Sequence, residues 1–336
     1  MKRLVYIIKR IFKMDYKNMF ATVNYIHKKT GKSSVWLFID MVKCGLRYGA
    51  GYKDYKLAEF YNLTDAQRST YVTRGINNTI VSLLNDREYY HIFEDKTQFN
   101  TLFKDFIGRK WINMSTASFK EFTEFINDLN VIISKPLDAT CGQGVMKLVK
   151  DDFESTEDLY NFLLENKSGL AEECVVQHDA LNEIYPHSVN TYRIVTVLSE
   201  GKPNVVYAFI RIGNGGRFVD NINSGGMAAP INIETGVIEF AAFDKNSIYY
   251  ESHPETGCKI KGYTLPFWKE SLDLVFKAAT VVPQMGYVGW DVAVTKDGPL
   301  IIEGNHFPGH DILQMPPHVP DKIGMLPTFK KYIPNL

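Results

Sequence analysis

Asp291, Glu303 and Asn305 have the residue types and spacing to hold a divalent cation. They lie in a stretch, 287–305, that alternates like a β-hairpin around Lys296-Asp297-Gly298. A three-residue loop pairs Thr295 with Pro299, Ala293 with Ile301 and Asp291 with Glu303, and period-two alternation puts Asn305 on the face of Glu303. Directly opposed carboxylates destabilise a sheet unless a cation sits between them, and carboxylate and amide oxygens suit a hard ion such as magnesium. The alternatives are an exposed, splayed pair or a register off by one; the apolar neighbours Val292, Val294, Ile301 and Ile302 disfavour full exposure.

Two further groups have chemistry suited to phosphate. Lys135 closes an apolar run at 131–134 and is followed by a loop containing Gly142 and Gly144, then by a second run at 145–149. Such a loop can turn several backbone N–H groups toward a phosphate, with the lysine as a point charge, or it can be an ordinary hairpin loop. Arg193 and Arg211 sit in otherwise apolar strands, where a guanidinium must find an anion. That anion is either a structural carboxylate or a phosphate.

The elements that must position these groups change character along the chain. Residues 18–95 look mainly helical, with a helix start near Thr64-Asp65-Ala66-Gln67. From about 131 the sequence is rich in strands, expected at 131–134, 145–149, 174–177, 192–198, 205–212, 237–242, 288–294 and 300–303, with helices at 118–129, 156–165 and 267–281. Gly-rich turns such as Ser224-Gly225-Gly226 and Glu234-Thr235-Gly236 join strands directly, which predicts an α+β fold of hairpins rather than a doubly wound sheet. Gly213-Asn214-Gly215-Gly216 lacks dinucleotide-loop spacing, and Lys29-Thr30-Gly31-Lys32-Ser33 lacks the first glycine of a phosphate loop because position 26 is Ile26.

The 336 residues carry 38 Lys and Arg against 38 Asp and Glu, so no global field recruits nucleic acid. The charge is uneven: residues 1–60 hold ten lysines and three arginines against four acids. On a helix over 2–17, Leu4, Ile8, Ile11 and Phe12 face one side and Lys2, Arg3, Lys9, Arg10, Lys13 and Lys17 the other. This helix either packs on its own domain or meets an anionic membrane surface. The four cysteines have no metal-ligand or disulfide spacing, no run approaches a membrane span, and no secretory leader is evident, which together predict a reducing, cytoplasmic setting. His306 and His310 are separated by Pro308 and Gly309, which break the helix that a zinc-type His pair needs.

Taken in order, these motifs resemble the ATP-grasp superfamily over about residues 95 to 311, and most closely its sugar-transfer-associated members. The resemblance implies two α+β lobes clasping ATP behind a mainly helical N-terminal region. The boundaries it implies are 1–94 for that region, 95–178 for the small lobe with the glycine loop and 179–336 for the large lobe. It implies that Lys96, Lys135, Gly142, Gly144, Gln177 and Glu183 contact ATP, that Arg193, Arg211 and Asn221 act on the phosphoryl and substrate side, and that Asp291, Glu303 and Asn305 hold Mg2+. Many members have Glu where Gln177 stands, so Glu172, Glu173 or Glu183 is a candidate for the hinge carboxylate. The implied reaction joins a small-molecule carboxylate to an amine or sugar-linked acceptor through an acyl phosphate, in cell-surface polysaccharide biosynthesis, with peripheral inner-membrane contact through residues 2–17. The alternatives are phosphoryl transfer on the same fold and a non-catalytic scaffold for glycosyltransferases.

Overall fold

The computed structural model describes residues 15–137 and 144–336, and these fall into two compact units, one of 15–83 with 309–336 and one of the described residues between 84 and 308. In the first unit, helices α1 (Tyr16–Thr30) and α2 (Ser34–Tyr48) are capped as their sequences require. Asp15 and Ser33 accept the backbone N–H groups of Asn18 and Trp36, and Gly31 and Gly49 end the two helices in the left-handed region that favours glycine. The phosphate-loop lookalike is thus an ordinary helix end followed by a helix start. The expected helix over 2–17 is revised where it can be followed: Asp15 is a non-helical cap, so Tyr16 and Lys17 open α1, and residues 2–14 lie outside the described residues. Thr64 and Gln67 do form a capping box, but the helix they start, Asp65–Arg68, is a single turn.

Met19, Val23 and Ile26 of α1 and Leu37, Met41 and Cys44 of α2 pack on Tyr55, Phe60 and Tyr61. Asp40 is buried among them, with Arg68 Nη1 and Nη2 donating to its oxygens at 2.9 and 2.7 Å and the Tyr55 hydroxyl donating at 2.7 Å. The chain from 309 returns to this unit, where His310 lies 2.9 Å from Asp54 and Gln314 exchanges two 2.8 Å hydrogen bonds with the Val72 backbone.

The second unit contains two antiparallel sheets. The smaller runs in the order β1 (Trp111–Asn113), β4 (Leu170–Glu173), β2 (Val131–Lys135), β3 (Met146–Val149). Along β2, Ile132 and Ser134 point into a core with Phe122 and Ile126 of α4 (Phe119–Ile126) and Leu159 and Leu163 of α5 (Thr156–Glu165), while Val131, Ile133 and Lys135 face a cavity. The larger sheet runs β11 (Gly298–Asn305), β10 (Tyr287–Thr295), β5 (Tyr192–Ser199), β6 (Lys202–Ile212), β7 (Met227–Pro230), β8 (Ala242–Asp244), β9 (Tyr249–Tyr250). Its main core packs on α7 (Trp268–Ala278) and on helix α3 (Lys96–Leu102), with Phe99, Phe103 and Trp290 stacked edge to face or in parallel.

The α+β hairpin architecture expected from the turns is present, with corrections. The strand expected at 174–177 is instead β4, four residues earlier; its two glutamates disguise it, and both are engaged within the sheet region. Residues 237–240 form only isolated bridges, from Val237 to Thr264 and from Ile231 to Ile238. The helices expected at 118–129 and 267–281 end earlier, at Ile126 and Ala278.

The buried Asp40 knot supports a stability prediction. Asp40→Ala leaves the Arg68 guanidinium buried without its anion and should cost about 3 kcal/mol. Urea unfolding of the full chain measures this; a loss within the range of an exposed pair, below about 1 kcal/mol, would contradict it.

Candidate active site

β10 is central to the site because it carries Asp291 between two charged neighbours. Register places Asp291 opposite Arg193 on β5 and opposite Glu303 on β11, so the three side chains form one row across the sheet. The loop of the β10–β11 hairpin is shorter than expected. Thr295 pairs with Gly298 around a two-residue turn, and Ala293 pairs with Leu300 rather than Ile301. A β-bulge at Ile302 then restores the register, so Asp291 still faces Glu303.

The row is densely bonded. Asp291 is fully buried, and Arg193 binds it bidentately, through Nε to Oδ1 and through Nη2 to Oδ2 at 2.9 Å. Arg211 adds a contact to Oδ2 at 2.7 Å and reaches Thr191 Oγ1 at 2.9 Å and Asn221 Oδ1 at 3.3 Å. Asn305 donates to Glu303 Oε1 at 3.4 Å. Gly289 gives the Arg193 side chain its path, since a Cβ there would come within 3.1 Å of Arg193 Cδ. Burial by itself would raise the Asp291 carboxyl, but Arg193 and Arg211 outweigh it and hold the group down to about 2. Glu303 moves the other way: burial first and then the Asp291 charge push its carboxyl up, against the opposing pull of Arg211 and Arg193.

A second knot supports the other wall. Glu172 is 2% exposed and accepts from Lys135 through Oε2, and through Oε1 from Arg109 Nη2 and Asn100 Nδ2, each at 2.8 Å. Burial alone would raise Glu172, but Arg109 and then Lys135 hold it well below the usual carboxylate range. Arg109 also donates to the carbonyls of Ile301 and Ile302 at 2.8 and 3.1 Å, capping the bulge on the edge strand β11. One buried guanidinium therefore links the carboxylate that holds Lys135 to the kink that aligns Glu303. Sequence reasoning passes over Arg109, because a single basic residue in Gly108-Arg109-Lys110 ahead of a strand has no distinguishing pattern.

Both knots line one cavity of about 1020 Å³, whose wall includes Lys96, Lys135, Glu172, Arg211, Asp291 and Glu303. Asn221 and Asn305 line it as well. Lys96 donates to the Leu137 carbonyl at 3.0 Å, at the start of the glycine loop. Gly144, at φ +68, packs against Pro136 so closely that a Cβ would sit 2.7 Å from Cγ; Gly142 lies outside the described residues. Gln177 lines the cavity with its amide spent internally, donating to Tyr185 O and Asn182 Oδ1 and accepting from the Asn190 backbone and side chain. Glu183, on helix α6 (Asp179–Ile184), is exposed, accepts from the Tyr263 hydroxyl and does not line the cavity, whereas Glu172 and Glu173 do. Among the described residues no three His, Cys, Asp and Glu side chains form a closed metal cage. Two carboxylates and an amide instead match the partial protein ligation that magnesium accepts when phosphates and water complete its shell.

A glycine-containing hairpin lobe beside a large antiparallel sheet, with a lysine on one wall and an acid, arginine and asparagine row on the other, defines the ATP-grasp class of fold. The chain belongs to the sugar-transfer-associated ATP-grasp family, whose model matches residues 76–319. No curated protein matches it. Among solved structures it is similar to the ATP-grasp ligase PsnB complexed with minimal precursor, Mg and ADP, at 13% identity over 67% of this chain and 54% of that chain, with a TM-score of 0.40. It is also similar to the D-cycloserine synthetase DcsG at 10% identity over 80% and 86%, TM-score 0.44, and to D-alanine–D-alanine ligase from Bacillus anthracis at 15% over 77% and 74%, TM-score 0.41. The chain thus spans about half the length of that PsnB chain.

The Glu172 knot has a pH signature. Its folded pKa is depressed, so the stability it contributes is present in full above the unfolded glutamate value of about 4.3 and is lost as pH falls toward the lower folded value. Glu172→Gln should therefore lower the melting temperature most at neutral pH, with the gap to wild type narrowing as the pH drops below about 5. A gap that stays constant down to acid unfolding would show that Glu172 is not held ionised.

Proposed function

We propose that the protein is an ATP- and magnesium-dependent ligase that activates a small-molecule carboxylate as an acyl phosphate and transfers it to an amine or sugar-linked acceptor, forming a carbon–nitrogen bond. The observation that carries this reading is the row of Asp291 and Glu303, with Arg211 and Asn305, lining the same cavity as Lys135, while Arg193 holds Asp291 from outside that lining. Lys96 and Lys135 bind nucleotide phosphates or adenine, with Gly142 and Gly144 supplying backbone donors. Gln177 and Glu183 lie along the stretch assigned to the adenine side. Arg193 and Arg211 orient the γ-phosphoryl group and the acyl phosphate, and Asn221 fixes Arg211 on the substrate side.

Glu303 and Asn305 offer oxygens toward the cavity, and Asp291 is the third ligand of a Mg2+ site. The bound ion would neutralise phosphate charge during in-line transfer. Burial and the Asp291 charge push the Glu303 carboxyl up, and a cation held there would offset both effects. No protein nucleophile is needed, since the acyl phosphate is itself the activated species. The family's association with sugar transfer supports a place in cell-surface polysaccharide biosynthesis, and we place the protein in the cytoplasm, with residues 2–17 as a contact for the inner face of the membrane. No helix among the described residues is long and apolar enough to cross a membrane.

Glu303→Gln removes a ligand at nearly constant volume. It should reduce ADP release by more than about a hundredfold, with little change in melting temperature. The assay screens amino acids and amino-sugar nucleotides as acceptors, with mass spectrometry of the product. Normal turnover in the variant would overturn the metal assignment, and a phosphorylated acceptor without amide formation would replace the ligase with a phosphotransferase. Magnesium-ATP should raise the melting temperature of the wild type and NAD should not; equal responses would remove the nucleotide assignment.

A further inference from the structure

Helix α2 is apolar on two opposite faces. Leu37, Met41 and Cys44 are buried in the core of the first unit, as expected for one stripe of an amphipathic helix. Val35, Ile39, Val42 and Leu46, at spacings of four, three and four, form a second stripe on the far side, with Val35 70% exposed, Ile39 61% and Leu46 51%. At its border Phe20 of α1, 56% exposed, stacks on Phe38 with ring centroids 5.5 Å apart. A helix apolar all round normally has a cover on both sides. Among the described residues of the first unit, Val35, Ile39 and Leu46 stay more than half exposed.

The surroundings of the stripe identify the cover. Trp36 stands half exposed on one flank with the Lys32 ammonium 5.3 Å over its ring, and Lys43 and Arg47 follow on the same flank. Asp65, which both contact, offsets only one of those two charges. Residues 15–48 carry six Lys and Arg against Asp15 and Asp40, and Asp40 is buried on Arg68. The sequence leading into α1 adds Lys2, Arg3, Lys9, Arg10 and Lys13. A second copy of the chain is a poor occupant, because two copies of this face would bring the same uncompensated lysine and arginine flank together. A bilayer needs neither large area nor shape complementarity, and anionic headgroups match the lysine and arginine flank while a tryptophan suits the interfacial depth.

We propose that the face of α2 bearing Val35, Ile39, Val42 and Leu46, with Phe20 and the Trp36 flank, docks on a membrane surface containing anionic lipid. This assigns membrane contact to a folded face distinct from residues 2–17, and it does not depend on the ligase reading, because the test reads vesicle binding separately from turnover.

The test uses the full chain with vesicles of phosphatidylcholine, alone or mixed with phosphatidylglycerol. Wild type should sediment with the mixed vesicles, less with the neutral ones, and less again at high salt. Val35→Gln with Ile39→Gln leaves charge and helix propensity nearly unchanged and should weaken partition by about tenfold or more, with melting temperature and ATP turnover intact. As a readout that needs no apolar variant, brominated lipid should quench the protein's tryptophan fluorescence, and Trp36→Phe should abolish most of that quenching. Binding of the double variant equal to wild type would overturn the proposal, as would quenching that survives Trp36→Phe. A wild type that ignores vesicles would also overturn it, and if light scattering then finds a dimer that the double variant breaks, the occupant is a second copy.

Discussion

A carboxylate with no exposure in the middle of a sheet has to be compensated, and much of the second unit's site organisation can be traced to how Asp291 is compensated. Desolvating the charge alone would be prohibitive, so two guanidiniums close on it from β5 and β6. Both arginines are thereby fixed, and Arg211 directs its other donors at Thr191 and Asn221. Glu303, opposite on β11, then has a negative neighbour and a buried setting, which favours its neutral form. The two arginines and the two carboxylates of the row therefore hold one another in place across three strands and the β6 arginine.

The same logic recurs on the other wall at Glu172. Lys135 would be mobile on an open strand end, yet a buried glutamate fixes it, and Arg109 and Asn100 fix the glutamate. Arg109 also donates to the Ile301 and Ile302 carbonyls at the bulge. Small-lobe lysine and large-sheet carboxylate are thus coupled through backbone and side chain at one residue.

Much of this was legible without coordinates, for identifiable reasons. Alternation pairs Asp291 with Glu303 even though the loop length is misjudged, because the shorter turn and the bulge compensate each other by one residue. Arg193 and Arg211 stand out because charged residues interrupt apolar strands, and the structure answers the open question of their anion with Asp291. β4 was hidden because its glutamates read as surface polarity, whereas Glu172 is buried by ion pairing that only the tertiary fold creates. Gln177 is a similar case: the resemblance implies a nucleotide contact there, and only the fold shows its amide engaged with Asn182, Tyr185 and Asn190. Arg109 left no sequence signal at all, since its importance comes from contacts 63 and more residues away.

The central claim is that the Asp291 row is where phosphate and metal meet. A crystal structure of the full chain with magnesium and a non-hydrolysable ATP analogue tests it most directly. The account predicts terminal phosphates within hydrogen-bonding distance of Arg193 and Arg211, and metal density on Glu303 and Asn305 with Asp291 alongside. A nucleotide bound elsewhere, or bound in this cavity with its phosphates and metal away from that row, would contradict it.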